Sequence, residues 1–290
     1  MIKKYIKLAR PNHYIKNILL FFPLVFSGNL LNKELFLTTL LGFFAFSFVA
    51  SAIYIVNDIF DAEKDNLHPV KRKRPIASGS ISKKSGFVFL IFLLILATLI
   101  NLHINSSWNS FALLVLYVLL NLGYSVGLKQ IPLIDIVILV SGYLIRVLYG
   151  SNIIGIPVSN WLYLTVIAIS CYLAFGKRRN ELARQGPLSR NVLKYYTYEF
   201  LDKNMYLSNA LIIVFYSLWC TDNVVIERFS NDLIWTVPLV LLISMKYSLN
   251  IEGDSDGDPV EVITKDKILV GLFLLYIVVI LGIIYLPCLI

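Results

Sequence analysis

The sequence is poor in charge: only 15% of its 290 residues are Asp, Glu, Lys or Arg, where a soluble domain carries about a quarter. With 58% hydrophobic residues and a mean hydropathy of +0.74, that scarcity excludes an ordinary water-soluble globule and points to lipid. Cysteine is scarcer still. Cys171, Cys220 and Cys288 stand far apart, in or beside apolar blocks, so no disulfide framework or cysteine metal centre is available. They read as small apolar residues packed in helices. No basic segment leads through an apolar run to a small-residue cleavage site, so a removed signal peptide is not expected. Internal repeats are also missing, which argues against the inverted-repeat design of many transporters.

What the sequence has instead is a series of apolar blocks of roughly 17–25 residues, each enough to cross a ~30 Å hydrocarbon core. Nine such blocks are read near 14–31, 36–57, 86–103, 108–125, 132–150, 160–176, 205–221, 231–249 and 268–287. The expectation is an all-α polytopic membrane protein, one domain over residues 1–290. Lysine and arginine test the threading. The amino terminus and the stretches 58–85, 126–131, 177–204 and 246–267 hold 23 of the 26 basic residues, on alternate sides of consecutive blocks. By the positive-inside rule these segments face the cytoplasm, and the carboxyl terminus faces out. The net charge of +8 is then mostly topology, and nucleic-acid binding need not be invoked. The inner loops are long and charged and the outer ones short, so a site roofed by inner loops is expected.

The strongest motif is Asn57-Asp58-Ile59-Phe60-Asp61-Ala62-Glu63-Lys64-Asp65, at the inner end of the second block. At ~100° per residue, Asp58, Asp61 and Asp65 point within about 60° of one another. Three carboxylates on one face repel unless a cation sits among them, and Mg²⁺ favours carboxylate and phosphate oxygens. Lys71-Arg72-Lys73-Arg74 follows directly, a run suited to a polyanionic, metal-bound substrate. A solvated helix end and a topological anchor are the plainer readings of the two segments. His68, beside them, reads equally well as a loop hydrogen-bonder.

Asn57-Asp58-x-x-Asp61-x-x-x-Asp65 followed by Arg74-Pro75-x-x-Ser78-Gly79 resembles the first signature of the UbiA superfamily of intramembrane prenyltransferases. The nine-block count, Arg10-Pro11 and Tyr124-Ser125 match as well, so the resemblance covers essentially the whole chain. It implies a nine-helix bundle with a cytoplasmic-side active site. Members that prenylate aromatic rings carry a second aspartate-rich motif after the sixth span. Here that place holds Phe175-Gly176-Lys177-Arg178-Arg179-Asn180-Glu181-Leu182, basic with one carboxylate.

That departure is similar to the decaprenyl-phosphate phosphoribosyltransferase branch. Arg10-Pro11-x-x-x-x-Lys16-Asn17, the His68 to Pro75 loop, Tyr124-Ser125-x-x-Leu128-Lys129, Gly176-Lys177-Arg178 and Gly257-Asp258-Pro259-x-Glu261 all resemble it. The resemblance implies Mg²⁺-dependent transfer of 5-phosphoribose from phosphoribosyl diphosphate (PRPP) to a decaprenyl or undecaprenyl phosphate in the bacterial cytoplasmic membrane. Diphosphate is released and the product feeds cell-envelope glycan synthesis; a homo-oligomer is compatible with this. Asp58, Asp61 and Asp65, assisted by Asn57, would hold the metal. Lys16 lies at headgroup depth, where a lipid phosphate sits, or is a snorkelling anchor. Tyr124 and Lys129 flank the short third inner loop and are read as reaching the same pocket.

Asp135 and Arg146, eleven residues apart, share a helix face within about 20°, with Arg146 ~16 Å deeper. An arginine within a span faces a partner or a polar cavity. Lys177, Arg178 and Glu181 are read as contacts to phosphate and its surroundings, and Asp254 to Glu261 as a loop or lid. Two alternatives stay open: prenyl transfer from a prenyl diphosphate, and a transporter for a lipid-linked anion.

Overall fold

The computed structural model describes residues 2–67, 71–104, 107–187, 189–253, 255 and 257–286. His68, Pro69, Asp254 and Cys288 therefore lie outside the described residues. Among those described, only helices form: α1 (Ile2–Ala9), a 3-10 helix (Pro11–Phe21), α2 (Phe22–Phe26), α3 (Lys33–Phe60), α4 (Ala62–Asn66), α5 (Lys83–Ile104), α6 (Trp108–Val126) and α7 (Ile134–Ile154). Then come α8 (Asn160–Gln185), α9 (Tyr198–Cys220), α10 (Asn223–Arg228), α11 (Val237–Glu252), α12 (Pro259–Lys265) and α13 (Lys267–Tyr285). Side-chain caps start most of the later helices: Ser159 for α8, Thr197 for α9, Asp222 for α10, Asp258 for α12 and Asp266 for α13.

Among the described residues, six segments are long and apolar enough to cross a membrane: α3, α5, α6, α7, residues 231–252 and α13. The protein is thus a multi-pass membrane protein, but the nine-block reading is only partly met. The first block is not one helix. Arg10 takes a left-handed conformation (φ 54°, ψ 57°), Pro11 opens a 3-10 helix, and α2 ends at Phe26. The sixth and seventh blocks form α8 and α9, 26 and 23 residues long. Their charged ends, Lys177 to Glu181 and Glu199 to Lys203, make them less apolar than the other six.

The chain forms two compact units interleaved in sequence, Met1–Val126 with Ile145–Pro157, and Gly127–Leu144 with Val158–Ile290. In the first, α3 packs on α5 and on the 3-10 helix, around Leu20, Phe46, Ile53, Tyr149 and Ile153. Gly150 is required there, because a Cβ would stand 2.1 Å from the Leu20 carbonyl oxygen. In the second, α8 packs along α9, around Tyr172, Met205, Ile212, Tyr247 and Ile251.

Candidate functional site

The first unit gathers the aspartate motif under two arginines. Arg10 Nη2 donates to Asp58 Oδ1 at 2.5 Å and stacks over the Tyr54 ring at 5.1 Å. Arg74 Nη1 reaches Asp65 Oδ2 at 2.5 Å and Asp58 Oδ1 at 3.3 Å. Both carboxylates are buried, at 1% and 3% exposure, so this is a desolvated, charge-balanced cluster rather than a solvated helix end. Asp58 Oδ2 is buried with no hydrogen-bond partner. Asp61 is half-buried at the junction of α3 and α4, its N–H bonded to the Asn57 carbonyl. The Asn57 amide oxygen accepts from Ser125 Oγ at 2.5 Å.

Among the described residues, no group of three or more His, Cys, Asp or Glu is assembled to hold a metal ion. Arg74 draws two of the three expected ligands together instead. The donor set still suits a hard cation: two buried carboxylates, one with an orphaned oxygen, and a third at the helix junction.

Lys71 and Arg72 are exposed, and Lys16 and Tyr124 are half-buried. Deeper in the unit, Arg146 Nε donates to Asn17 Oδ1 at 2.8 Å and Nη2 to Tyr117 Oη at 3.1 Å. Its guanidinium lies 5.0 Å from the Phe46 and Tyr117 ring centres. This arginine takes amide, hydroxyl and aromatic partners inside a span.

The second unit holds the other charged cluster. Arg178, 1% exposed, donates from Nε to Asp135 Oδ2 and from Nη1 to Glu181 Oε2, both at 2.6 Å. Tyr196 donates to Asp135 Oδ1 at 2.7 Å, and Arg190 lies 3.4 Å from Glu181. Burial, and then the hydrogen bond to Asp135, push the Tyr196 hydroxyl well above the usual tyrosine range, so it stays a donor. The Leu133 N–H meets Tyr196 Oη at 2.6 Å, and Leu133 is left-handed (φ 65°). Arg10 and Leu133 are the non-glycine residues in that conformation among those described, and each abuts a charged cluster. Lys177 is about a third exposed, 3.8 Å from Asp258 Oδ2, and Lys129 is half-buried.

The structure therefore separates residues that the sequence groups. Asp135 and Arg146 share a helix but bond to Arg178 and Tyr196 in one case and to Asn17 and Tyr117 in the other, and Arg178 is buried in ion pairs while Lys177 is about a third exposed. Arg10, Arg190 and Tyr196 are additions as cluster residues. Only Arg10 left a trace in the sequence, the Arg10-Pro11 pair; the others are joined by contacts across 9 to 61 positions.

Residues 18–179 match the UbiA prenyltransferase family. The chain is 32% identical to the decaprenyl-phosphate phosphoribosyltransferase of Mycolicibacterium smegmatis, over 96% of this chain and 91% of that one. It is likewise 32% identical to the Corynebacterium glutamicum enzyme of the same name, covering 94% and 84%. In fold it is similar to a UbiA homolog from Archaeoglobus fulgidus solved with GPP and Mg²⁺, at a TM-score of 0.69 and 19% identity, over 96% of this chain and 99% of that one.

Proposed function

Because the chain belongs to the UbiA prenyltransferase family, we propose that it moves 5-phosphoribose from PRPP to a polyprenyl phosphate. The C1–O bond to diphosphate breaks as an oxygen of the lipid phosphate bonds to C1. The observation that carries the reading is the charge of the second cluster. Where a ring-prenylating enzyme needs a second acidic metal site, Asp135 and Glu181 are both taken by Arg178, with Tyr196 and Arg190 beside them. Lys177 then adds an outward cation, suited to a substrate with several phosphates. The like-named relatives along nearly the whole chain support the same chemistry.

Asp58, Asp61 and Asp65 would hold Mg²⁺, which neutralises the departing diphosphate. Arg10 and Arg74 sit on those carboxylates and are positioned to exchange them for phosphate oxygens. Lys71 and Arg72 extend the same cationic edge. The lipid phosphate is already ionised and needs no strong base, so positioning dominates over proton transfer. Beside Arg10, an apolar groove of ≈ 510 Å³ lined by Tyr5, Ala9, Pro11, Tyr14, Phe48 and Phe89 offers an isoprenoid chain a berth. Nine crossings with the amino terminus and the charged clusters cytoplasmic remain the topology proposed.

The second reading, transfer of a prenyl chain from a prenyl diphosphate, draws on the fold neighbour bound to GPP. Purified protein incubated with labelled PRPP, Mg²⁺ and polyprenyl phosphate separates the two. Labelled lipid is expected; activity with a prenyl diphosphate donor and none with PRPP would overturn the proposal.

A further inference from the structure

One side of α1 is fastened to the first unit. Leu8, wholly buried, clusters with Ile55, Ile76, Ile81 and Leu90. The Tyr5 ring meets Phe89 edge-on at 5.0 Å. Ser51 Oγ donates to the Ala9 carbonyl at 2.7 Å, and Lys7 Nζ donates to the Lys73 carbonyl at 3.2 Å. Ser51 stands about two turns before Asp58 on α3, and Lys73 lies in the basic run beyond α4. These contacts place α1 at the end of α3 where the apolar run gives way to charge.

The other side of α1 is open. At ~100° per residue, Lys3, Lys4 and Lys7 span about 100° of its circumference, with Ile2 and Ile6 next to them. All three lysines are exposed, as are Ile2 at 77% and Ile6 at 52%. Among the described residues, none of these lysines forms an ion pair. The carboxylates that follow α3 are already engaged: Asp58 and Asp65 by Arg10 and Arg74, and Glu63 by Lys83 at 3.3 Å. Adjacent cations want anions, and exposed isoleucines want to leave water. Both wants are met at one place, the surface of a bilayer.

We propose that α1 is an interfacial helix that docks on anionic phospholipid, with Ile2 and Ile6 among the acyl chains and Lys3, Lys4 and Lys7 on headgroup phosphates. Charge complementarity selects the lipid. A zwitterionic headgroup carries its own cation beside the phosphate, in competition with lysine, while phosphatidylglycerol carries none. Each lysine near an anionic surface strengthens docking by about fivefold, and three by roughly 100-fold. Arg10 follows α1 directly, so the lipid steadies the chain that enters the aspartate cluster. Docking of this kind is independent of which group the enzyme transfers.

The test is hydrogen–deuterium exchange of the full chain in nanodiscs, with phosphatidylcholine alone against phosphatidylcholine mixed with phosphatidylglycerol. The amides of α1 should exchange roughly 5- to 100-fold more slowly when phosphatidylglycerol is present, while those of α5 stay unchanged. Replacing Lys3→Gln and Lys4→Gln together should remove most of that gain. Both side chains are exposed, so the fold should persist, and exchange in α3 checks that it does. Salt at about 1 M, where the Debye length falls to ~3 Å, should also remove the gain. Equal exchange in the two lipids overturns the inference. If α1 is slow in both, the fold or a second copy of the chain covers it; if fast in both, nothing does. A gain that survives both the double substitution and high salt overturns it too, because the docking is then apolar.

Discussion

Replacing Arg178 with alanine separates a structural arginine from a substrate-binding one. The guanidinium is 1% exposed and makes two 2.6 Å bonds, one to Asp135, which is wholly buried, and one to Glu181. Its removal strands two carboxylates away from water. Breaking a buried pair costs about 3–5 kcal/mol, a large share of a fold that is ~5–15 kcal/mol stable. Tyr196 and Arg190 remain to hold the carboxylates in part, so the lower end is expected. At ~2–4 °C per kcal/mol, a loss of about 3 kcal/mol should lower the apparent Tm by roughly 6–12 °C, read by intrinsic tryptophan fluorescence in detergent. Combining Arg178→Met with Asp135→Asn and Glu181→Gln removes the stranded charges and should recover most of the loss. Lys177→Ala is the control. Its ion pair is about a third exposed and 3.8 Å long, worth ~0–1 kcal/mol, so Tm should barely move while KM for PRPP rises. If Arg178→Ala melts within ~2 °C of wild type yet no longer saturates with PRPP, Arg178 faces the substrate and this reasoning fails.

Asp58→Asn and Asp61→Asn should each abolish nearly all turnover in protein that still purifies normally, and chelation of divalent metal should do the same to wild type; full activity in excess chelator would exclude the carboxylate–Mg²⁺ assignment. For topology, cysteines at Ser80 and Ser189 should react only with reagent on the cytoplasmic side and one at Asn223 only from outside, and external labelling at Ser189 would break the nine-crossing arrangement. Asp266 is held below the ordinary carboxylate range, first by its hydrogen bond with Lys246 and then by the Leu269 N–H. A depressed carboxyl contributes stability that is present above its unfolded pKa and lost as pH falls through the folded one. Asp266→Asn should therefore melt below wild type at neutral pH, and the two curves should converge in strong acid; a constant gap across the titration would contradict the Lys246 pairing.

Much of this was legible because it is local. Apolar runs mark α3, α5, α6, α7 and α13 by length alone, while Asp58 on α3 and Asp65 on α4 are bridged by Arg74 across the junction at Asp61. Arg74 lies only 9 and 16 residues from those carboxylates, yet the sequence reads it as a phosphate contact and not as their ion partner. Arg10 lies 48 residues from Asp58, and nothing in a one-dimensional pattern couples them. The same holds for Asp135 and Arg146. Helical geometry correctly puts them on one helix, but their partners, Arg178 and Tyr196 for one and Asn17 and Tyr117 for the other, come from elsewhere. The first apolar block misleads for a different reason. Its hydropathy suits a span, while residues 11–21 follow a left-handed Arg10 as a 3-10 helix, a backbone that hydropathy does not sense.

Asp58, Asp65, Arg10 and Arg74 sum to zero charge, and that neutrality governs what can enter. A bare divalent cation would compete for these carboxylates with two guanidinium groups, which are themselves 21% and 28% exposed. A free diphosphate finds the arginines engaged and two carboxylates beside them. A cation already chelated by diphosphate meets neither obstacle, because each ion pair it opens is replaced by another: metal on carboxylate, phosphate on arginine. Under the proposed function, the first unit would then act as a coincidence detector, favouring the two components together over either alone.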